Sequence, residues 1–281
     1  MFQRIMVPLD GSELAERALP LAGQMAKAMG ATIYLVRAVE APAMWLAAPA
    51  AVYVPPTVYD DLLKNETEEA VSYLNRVREQ LESSGLHVRA DQCEGNPAVA
   101  LLDYESAVNA DLVVMCSHGR SGLSRFALGS VADRLVRHGT VPVLLVRPFG
   151  EPASLEHAVV PLDGSTRSEE VLKVVDHLAR YVVREVTLLR VIAAPKDGPE
   201  AERYLQEAAQ HLTQEHLACW RRVEQGDPAD VILSTADHQR LVIMATHGRS
   251  GLTRWALGSV ADRVVRGGAA AVLLVREGAA A

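Results

Sequence analysis

The chain has 281 residues, 49% hydrophobic and 22% charged, which is length enough for two domains and apolar material enough for buried cores. A largely disordered chain is therefore excluded. The net charge of −7 is spread evenly, with 13 Lys+Arg against 17 Asp+Glu in residues 1–147 and 15 against 18 in the remainder. Neither half is basic, which argues against nucleic-acid binding driven by phosphates. The three cysteines, Cys93, Cys116 and Cys219, lie far apart without metal-ligand spacing. They support neither a disulfide framework nor a zinc site, and fit a reduced, cytoplasmic compartment.

In chain order, the first half opens on a strand-like run without a basic-then-apolar leader. Apolar runs predict strands at 4–9, 32–38, 88–93, 112–116 and 141–147. Helical patterns fill the gaps at 13–29, 62–83, 98–108 and 130–138. In the first of these, Leu14, Ala18, Leu21, Ala22 and Met25 form a core-facing stripe, and Pro20 should bend the helix or leave a carbonyl unpaired. The second is expected to start on acidic residues, Glu66, Glu68 and Glu69, that complement its dipole. Between them, residues 41–59 carry no charge. Pro42, Pro49, Pro55 and Pro56 in that stretch argue against a membrane helix, so it reads as a loop or lid. Residues 148–155, PFGEPASL, read as a linker. In the second half, strands are predicted at 157–162, 186–192, 218–224, 241–245 and 271–276.

The halves repeat one another. VPLDGS at 7–12 recurs at 160–165, and GNPA at 95–98 returns as GDPA at 226–229. HGRSGLSRFALGSVADRLVR at 118–137 matches HGRSGLTRWALGSVADRVVR at 247–266 in 17 of 20 positions. A tandem duplication follows, with domains at 1–149 and 154–278. Alternating strands and helices predict α/β architecture: two tandem doubly wound, five-stranded parallel sheets of Rossmann-like type. In each, the topological switch should fall between the first and fourth strands, and ligands should bind at the strands' carboxyl ends there.

The strongest chemical signal follows the fourth strand. Gly119 and Gly122 let main-chain N–H groups approach an anion. Gly129-Ser130 then opens a helix whose dipole favours phosphate. The competing local reading is a helix cap: Ser130 with Asp133, and Ser259 with Asp262, have capping-box-like spacing. Asp10 and Asp163 close the first strand of each half, as ligand-facing acids or as turn residues ahead of Ser12 and Ser165. Arg120 and Arg249 can steady phosphates or be plain surface residues. His118 and His247 can be general bases or, more simply, loop residues with local hydrogen bonds. Phe126 and Trp255 read as packing residues. No P-loop, dinucleotide fingerprint or hydrolase elbow occurs.

With these motifs the sequence resembles the universal stress protein family in its tandem form. The family pattern G-x2-G-x9-G-[S/T] is matched from Gly119 to Gly129-Ser130 and from Gly248 to Gly258-Ser259. Its first glycine is replaced by Cys116 and Ala245, both small. The resemblance implies binding of an adenine nucleotide such as ATP, with Mg2+ between the phosphates. Adenine would meet Asp10 and Val39 in one half, and Asp163 with Val191 or Ile192 in the other. Pro8 and Pro161 would lie near the ribose. Gly119, Gly129, Ser130 and Val131, with Gly248, Gly258, Ser259 and Val260, would hold phosphates. It further implies that the final strands of the halves pair in an intramolecular pseudo-dimer, with a homodimer of the whole chain also open. The expected action is ligand-linked stress response with little or no catalysis. The alternatives are an interaction module without nucleotide and a slow ATPase.

Overall fold

The computed structural model describes residues 1–40, 56–118, 128–147, 153–236, 240–247, 257–267 and 271–276, with the side chains of 56–59 left aside. The first half runs β1 (Arg4–Pro8), α1 (Glu13–Glu16), α2 (Leu19–Met29), β2 (Thr32–Val39), α3 (Pro56–Glu82), β3 (His87–Glu94), α4 (Pro97–Ala107), β4 (Leu112–Cys116), α5 (Ser130–His138) and β5 (Val143–Val146). The second repeats the order with β6 (His157–Pro161), α6 (Thr166–Glu169), α7 (Val171–Ala179), β7 (Glu185–Ile192), α8 (Gly198–Ala209), β8 (Ala218–Gln225), α9 (Pro228–Ala236), β9 (Leu241–Ala245), α10 (Ser259–Gly267) and β10 (Val272–Val275).

The strands form one ten-stranded sheet in the order β3-β2-β1-β4-β5-β10-β9-β6-β7-β8. All neighbours are parallel except the central pair, where β10 runs antiparallel to β5 and sets Leu273 opposite Leu144. The two expected five-stranded parallel halves are present, and they meet through their last strands in one hydrogen-bonded joint. β1 pairs with both β2 and β4, and β6 with both β7 and β9, so each half changes winding direction at its first strand. Right-handed crossovers from that strand place helices on opposite faces. One face buries Leu21 and Met25 of α2, Leu74 of α3, Val174 of α7 and Leu205 of α8. The other buries Leu101 of α4, Leu135 of α5, Ile232 of α9 and Val264 of α10. Central strands are covered on both sides, and so β4 is buried at every residue. Further contacts tie the halves. Phe2, wholly buried, meets His177 of α7 edge to face at 5.8 Å. Arg276 donates to the Val136 carbonyl near the end of α5.

Several local expectations change. Residues 13–29 form two helices: Ser12 caps α1, and Pro20 falls in the first turn of α2. A proline is harmless there because first-turn N–H groups have no intrahelical acceptor, so the chain breaks rather than bends. α3 starts at Pro56, not at residue 62, and so includes the end of the stretch read as a loop. Glu66 and Glu69 consequently lie well inside α3 and do not serve its dipole; they face Arg37 at 3.9 and 3.3 Å. The rest of the proline-rich stretch, 41–55, lies outside the described residues. So do 148–152 of the linker, whose last residue, Leu155, is buried in the core. Among the described residues, no helix is long and apolar enough to cross a membrane.

Candidate functional site

Each half has a cavity at the carboxyl end of its strands, against the switch point. The first, of about 380 Å³, is lined by Pro8 ending β1 and Asp10 just beyond it, Val39 ending β2, Cys116 ending β4, and Gly129, Ser130 and Val131 around the start of α5. The second, of about 310 Å³, is lined by Pro161, Asp163, Val191, Ala245, Gly258, Ser259 and Val260. The structure thus gathers the described sequence candidates into two equivalent crevices. Gly119, Arg120, Gly248 and Arg249 lie outside the described residues, as do Phe126 and Trp255. The strand registers align Val39 with Ile192, whereas Val191 is the residue lining the second crevice.

The crevice wall explains the local sequence. Asp10 Oδ1 accepts from the Ser12 N–H at 2.9 Å and the Ser12 hydroxyl at 2.6 Å. Asp163 and Ser165 repeat this at 2.9 and 2.6 Å. The turn reading of both aspartates therefore holds, while each carboxyl group also borders its cavity. At α5 the cap is Gly129, and among the described residues no side chain caps the helix. Ser130 is instead the first helical residue, and Asp133 pairs with Arg137 at 2.8 Å. The capping-box expectation fails because the true cap lies one residue earlier. Asp262 likewise pairs with Arg266 at 2.8 Å.

The first bond of α5 runs from the Asp133 N–H to the Gly129 carbonyl at 2.8 Å. The N–H groups of Ser130, Val131 and Ala132 precede that bond, and these residues line the cavity. Gly129 itself donates to the Ser117 carbonyl at 2.9 Å, and Gly258 to the Thr246 carbonyl at 2.8 Å. A Cβ on Gly129 would stand 3.2 Å from that same oxygen, and one on Gly258 3.1 Å from its counterpart. Close approach, not an unusual backbone angle, is what favours glycine here. His118 Nδ1 lies 3.0 Å from Ser117 Oγ, and His247 Nδ1 3.1 Å from Thr246 Oγ1, which are the local contacts of loop histidines. Burial pushes the Cys116 thiol above its ordinary pKa, against its being a thiolate nucleophile.

Sequence reasoning missed two arginines. Arg37, 4% exposed on β2, lines the first cavity and stacks over Tyr73 at 5.6 Å. Arg190 on β7 lines the second, stacks over Tyr204 at 5.3 Å and donates to the Leu162 carbonyl at 3.0 Å. Burial and the neighbouring Glu16 raise the Tyr73 pKa; burial and Glu169 raise that of Tyr204 to about 12. Repetition of Arg, Tyr and Glu at matching places in both halves was the available signal. Among the described residues, no group of His, Cys, Asp and Glu is arranged to hold a metal.

A duplicated, doubly wound α/β half with a crevice at its switch point and a bare helix start facing it defines the class. The sequence matches the universal stress protein family over residues 1–147 and again over 155–276, and the chain belongs to that family. It is 29% identical to a universal stress protein of Mycolicibacterium smegmatis over 97% of this chain and 96% of that one. It is 32% identical to one of Methanocaldococcus jannaschii, over 52% of this chain and 83% of the relative. The fold is also similar to the crystal structure of a universal stress protein from Archaeoglobus fulgidus, with TM-score 0.78 at 19% identity, covering 99% of this chain and 100% of that one.

Proposed function

We propose that each half binds an adenine nucleotide, ATP with Mg2+, and that the protein acts through the consequences of binding rather than through turnover. The observation that carries this reading is the start of α5, where main-chain N–H groups that no described side chain caps, and the positive end of a helix dipole, border a cavity of about 380 Å³. That volume lies within the range of small-molecule sites, roughly 300–1,000 Å³. Phosphates would lie against Gly129, Ser130 and Val131, and against Gly258, Ser259 and Val260. The base would lie toward Asp10 and Val39, or toward Asp163 and Val191, with Pro8 and Pro161 beside the ribose. Mg2+ would be held mainly by phosphate oxygens and water, its usual habit, which asks little of the protein.

Binding at one helix start has a route to the other half. Arg137 of α5 lies 3.8 Å from Asp262 of α10 across the joint. The two halves then act as an intramolecular pseudo-dimer, supported by the antiparallel β5–β10 pairing. Catalysis stays minimal because neither His118 nor Cys116 is set up as an activated group. The test is titration calorimetry with MgATP, joined to native mass spectrometry of the intact chain. Two nucleotides per chain are expected. The absence of both heat and thermal shift at millimolar MgATP would favour an interaction module instead, a reading that the buried Cys116 side chain at a glycine position motivates.

A further inference from the structure

The two outer strands of the sheet are finished differently. β3 and β8 stand at its ends, and the registers with β2 and β7 make Arg89 equivalent to Trp220 and Asp91 to Arg222. On the first half, Tyr104 of α4 reaches the edge strand and its hydroxyl donates to Asp91 at 2.5 Å. The matching step of α9 is Thr235, a short buried side chain. Ala218, Cys219, Trp220, Arg221 and Arg222 are all exposed, whereas the matching residues of β3 alternate between exposed and half-buried, so consecutive residues are open on both faces of β8. Trp220 is 61% exposed, the most open large hydrophobic side chain among the described residues.

Among the described residues, no strand pairs with the outer side of β8's main chain. The Ala218 N–H donates to the Arg184 carbonyl at 2.9 Å, so it points toward β7. Strand pairing alternates with period two, so Trp220, Arg222 and Glu224 also turn their backbone groups to β7. Cys219, Arg221, Val223 and Gln225 turn theirs outward, past the last strand of the sheet. An edge of this kind is a template for another strand.

We infer that β8 is a self-pairing edge, through which two copies of the chain join antiparallel about a two-fold axis at Val223. Charge complementarity selects the partner and the register. Arg222 and Glu224 share one face of the strand, where their side chains pair at 2.6 Å. With the axis at Val223, Arg222 lies opposite Glu224 of the second copy, and Glu224 opposite its Arg222. Both pairs are non-hydrogen-bonded positions, where Cα atoms come within about 4.5 Å. Four charges then alternate in sign around the axis, which favours pairing. Sliding the axis by one residue, to Arg222, would set Arg222 of one copy against Arg222 of the other. The Val223 register matches Val223 with itself and Arg221 with Gln225 in the hydrogen-bonded positions, giving about six main-chain bonds. It also brings Trp220 opposite Gly226, where no Cβ obstructs the indole. Two adjacent arginines guard an edge against foreign strands. Together with Glu224 they admit a strand of this same sequence, which is the self-complementarity of a two-fold interface.

The experiment measures the mass of the full-length protein by light scattering after size exclusion, across a concentration series at low salt. The expected species has twice the 30.4 kDa chain mass. Arg222→Glu should weaken the dimer at least tenfold, and the charge swap Arg222→Glu with Glu224→Arg should restore it to within about threefold. Val223→Pro, which removes an outward N–H, should give single chains that still melt cooperatively, at a somewhat lower temperature because Val223 also packs on the core. A wild-type chain that stays single at all concentrations overturns the inference. So does a dimer indifferent to Arg222→Glu and Val223→Pro, or a charge swap that fails to restore pairing. None of these outcomes depends on nucleotide.

Discussion

Ser130→Asp and Ser259→Asp separate a phosphate-binding helix start from a merely structural one. Both serines are exposed, and Ser130 is the first residue of a helix capped by Gly129, so its hydroxyl does no capping. A carboxylate in the first turn interacts favourably with the helix dipole by about 0.3–1 kcal/mol. For a chain of this size that corresponds to a rise in Tm of about 1–3 °C. A phosphate held by the α5 N–H groups would sit about 5–6 Å from the new carboxylate, where like charges repel by ~3 kcal/mol at an effective dielectric near 20. Solvent exposure at least halves this, leaving ~1.5 kcal/mol and a roughly tenfold loss of affinity. The same substitution should therefore stabilise the nucleotide-free protein and weaken MgATP binding. Calorimetric melting without ligand and titration with MgATP read the two effects separately, and Ser130→Asn serves as the uncharged control. A doubly substituted chain that binds MgATP within threefold of the wild type would refute main-chain phosphate binding at these turns.

Other outcomes follow from the same geometry. Asp10→Ala removes the acceptor of two Ser12 hydrogen bonds beside the α1 cap and should lower stability by about 1–2 kcal/mol in urea titration, with Asp10→Asn recovering part. Leu144→Ala, at a buried site of the β5–β10 joint, should lower stability by about 2–5 kcal/mol and loosen both halves together, as read by hydrogen exchange. Burial holds the His177 pKa below its ordinary value, with the chain's amino terminus adding to the effect. The unfolded chain thus binds the proton more readily, so this contribution is present above the ordinary histidine range and is lost as pH falls through it. The acid side of a stability-against-pH curve should flatten in His177→Leu.

Much of the fold is legible because central strands buried on both faces read as unbroken apolar runs; 112–116 and 241–245 coincide with β4 and β9. The errors cluster where one residue type serves two purposes. Proline signals a break at both 20 and 56, yet it is tolerated in a first helical turn. Ser130 has the spacing of a capping residue, but Gly129 is drawn against the Ser117 carbonyl and takes the cap position. Asp10 is legible as a crevice residue because it follows the first strand at the switch point. Arg37 is not, because a charged residue between apolar strand neighbours gives no sign of which cavity it faces until helix α3 supplies Glu66, Glu69 and Tyr73.

The antiparallel joint has a consequence for how the two copies can diverge. Where separate subunits meet through identical strands, every substitution is felt twice, once on each side of the axis. Here Val143 meets Leu274 and Leu145 meets Val272, both within a single polypeptide. Tethering keeps the partners at a high local concentration however dilute the protein becomes. Each copy is thereby released from having to match itself. A 27-residue α3 can stand against a 12-residue α8, and a tyrosine bonded to the outer strand of one half against a buried threonine at the matching place in the other.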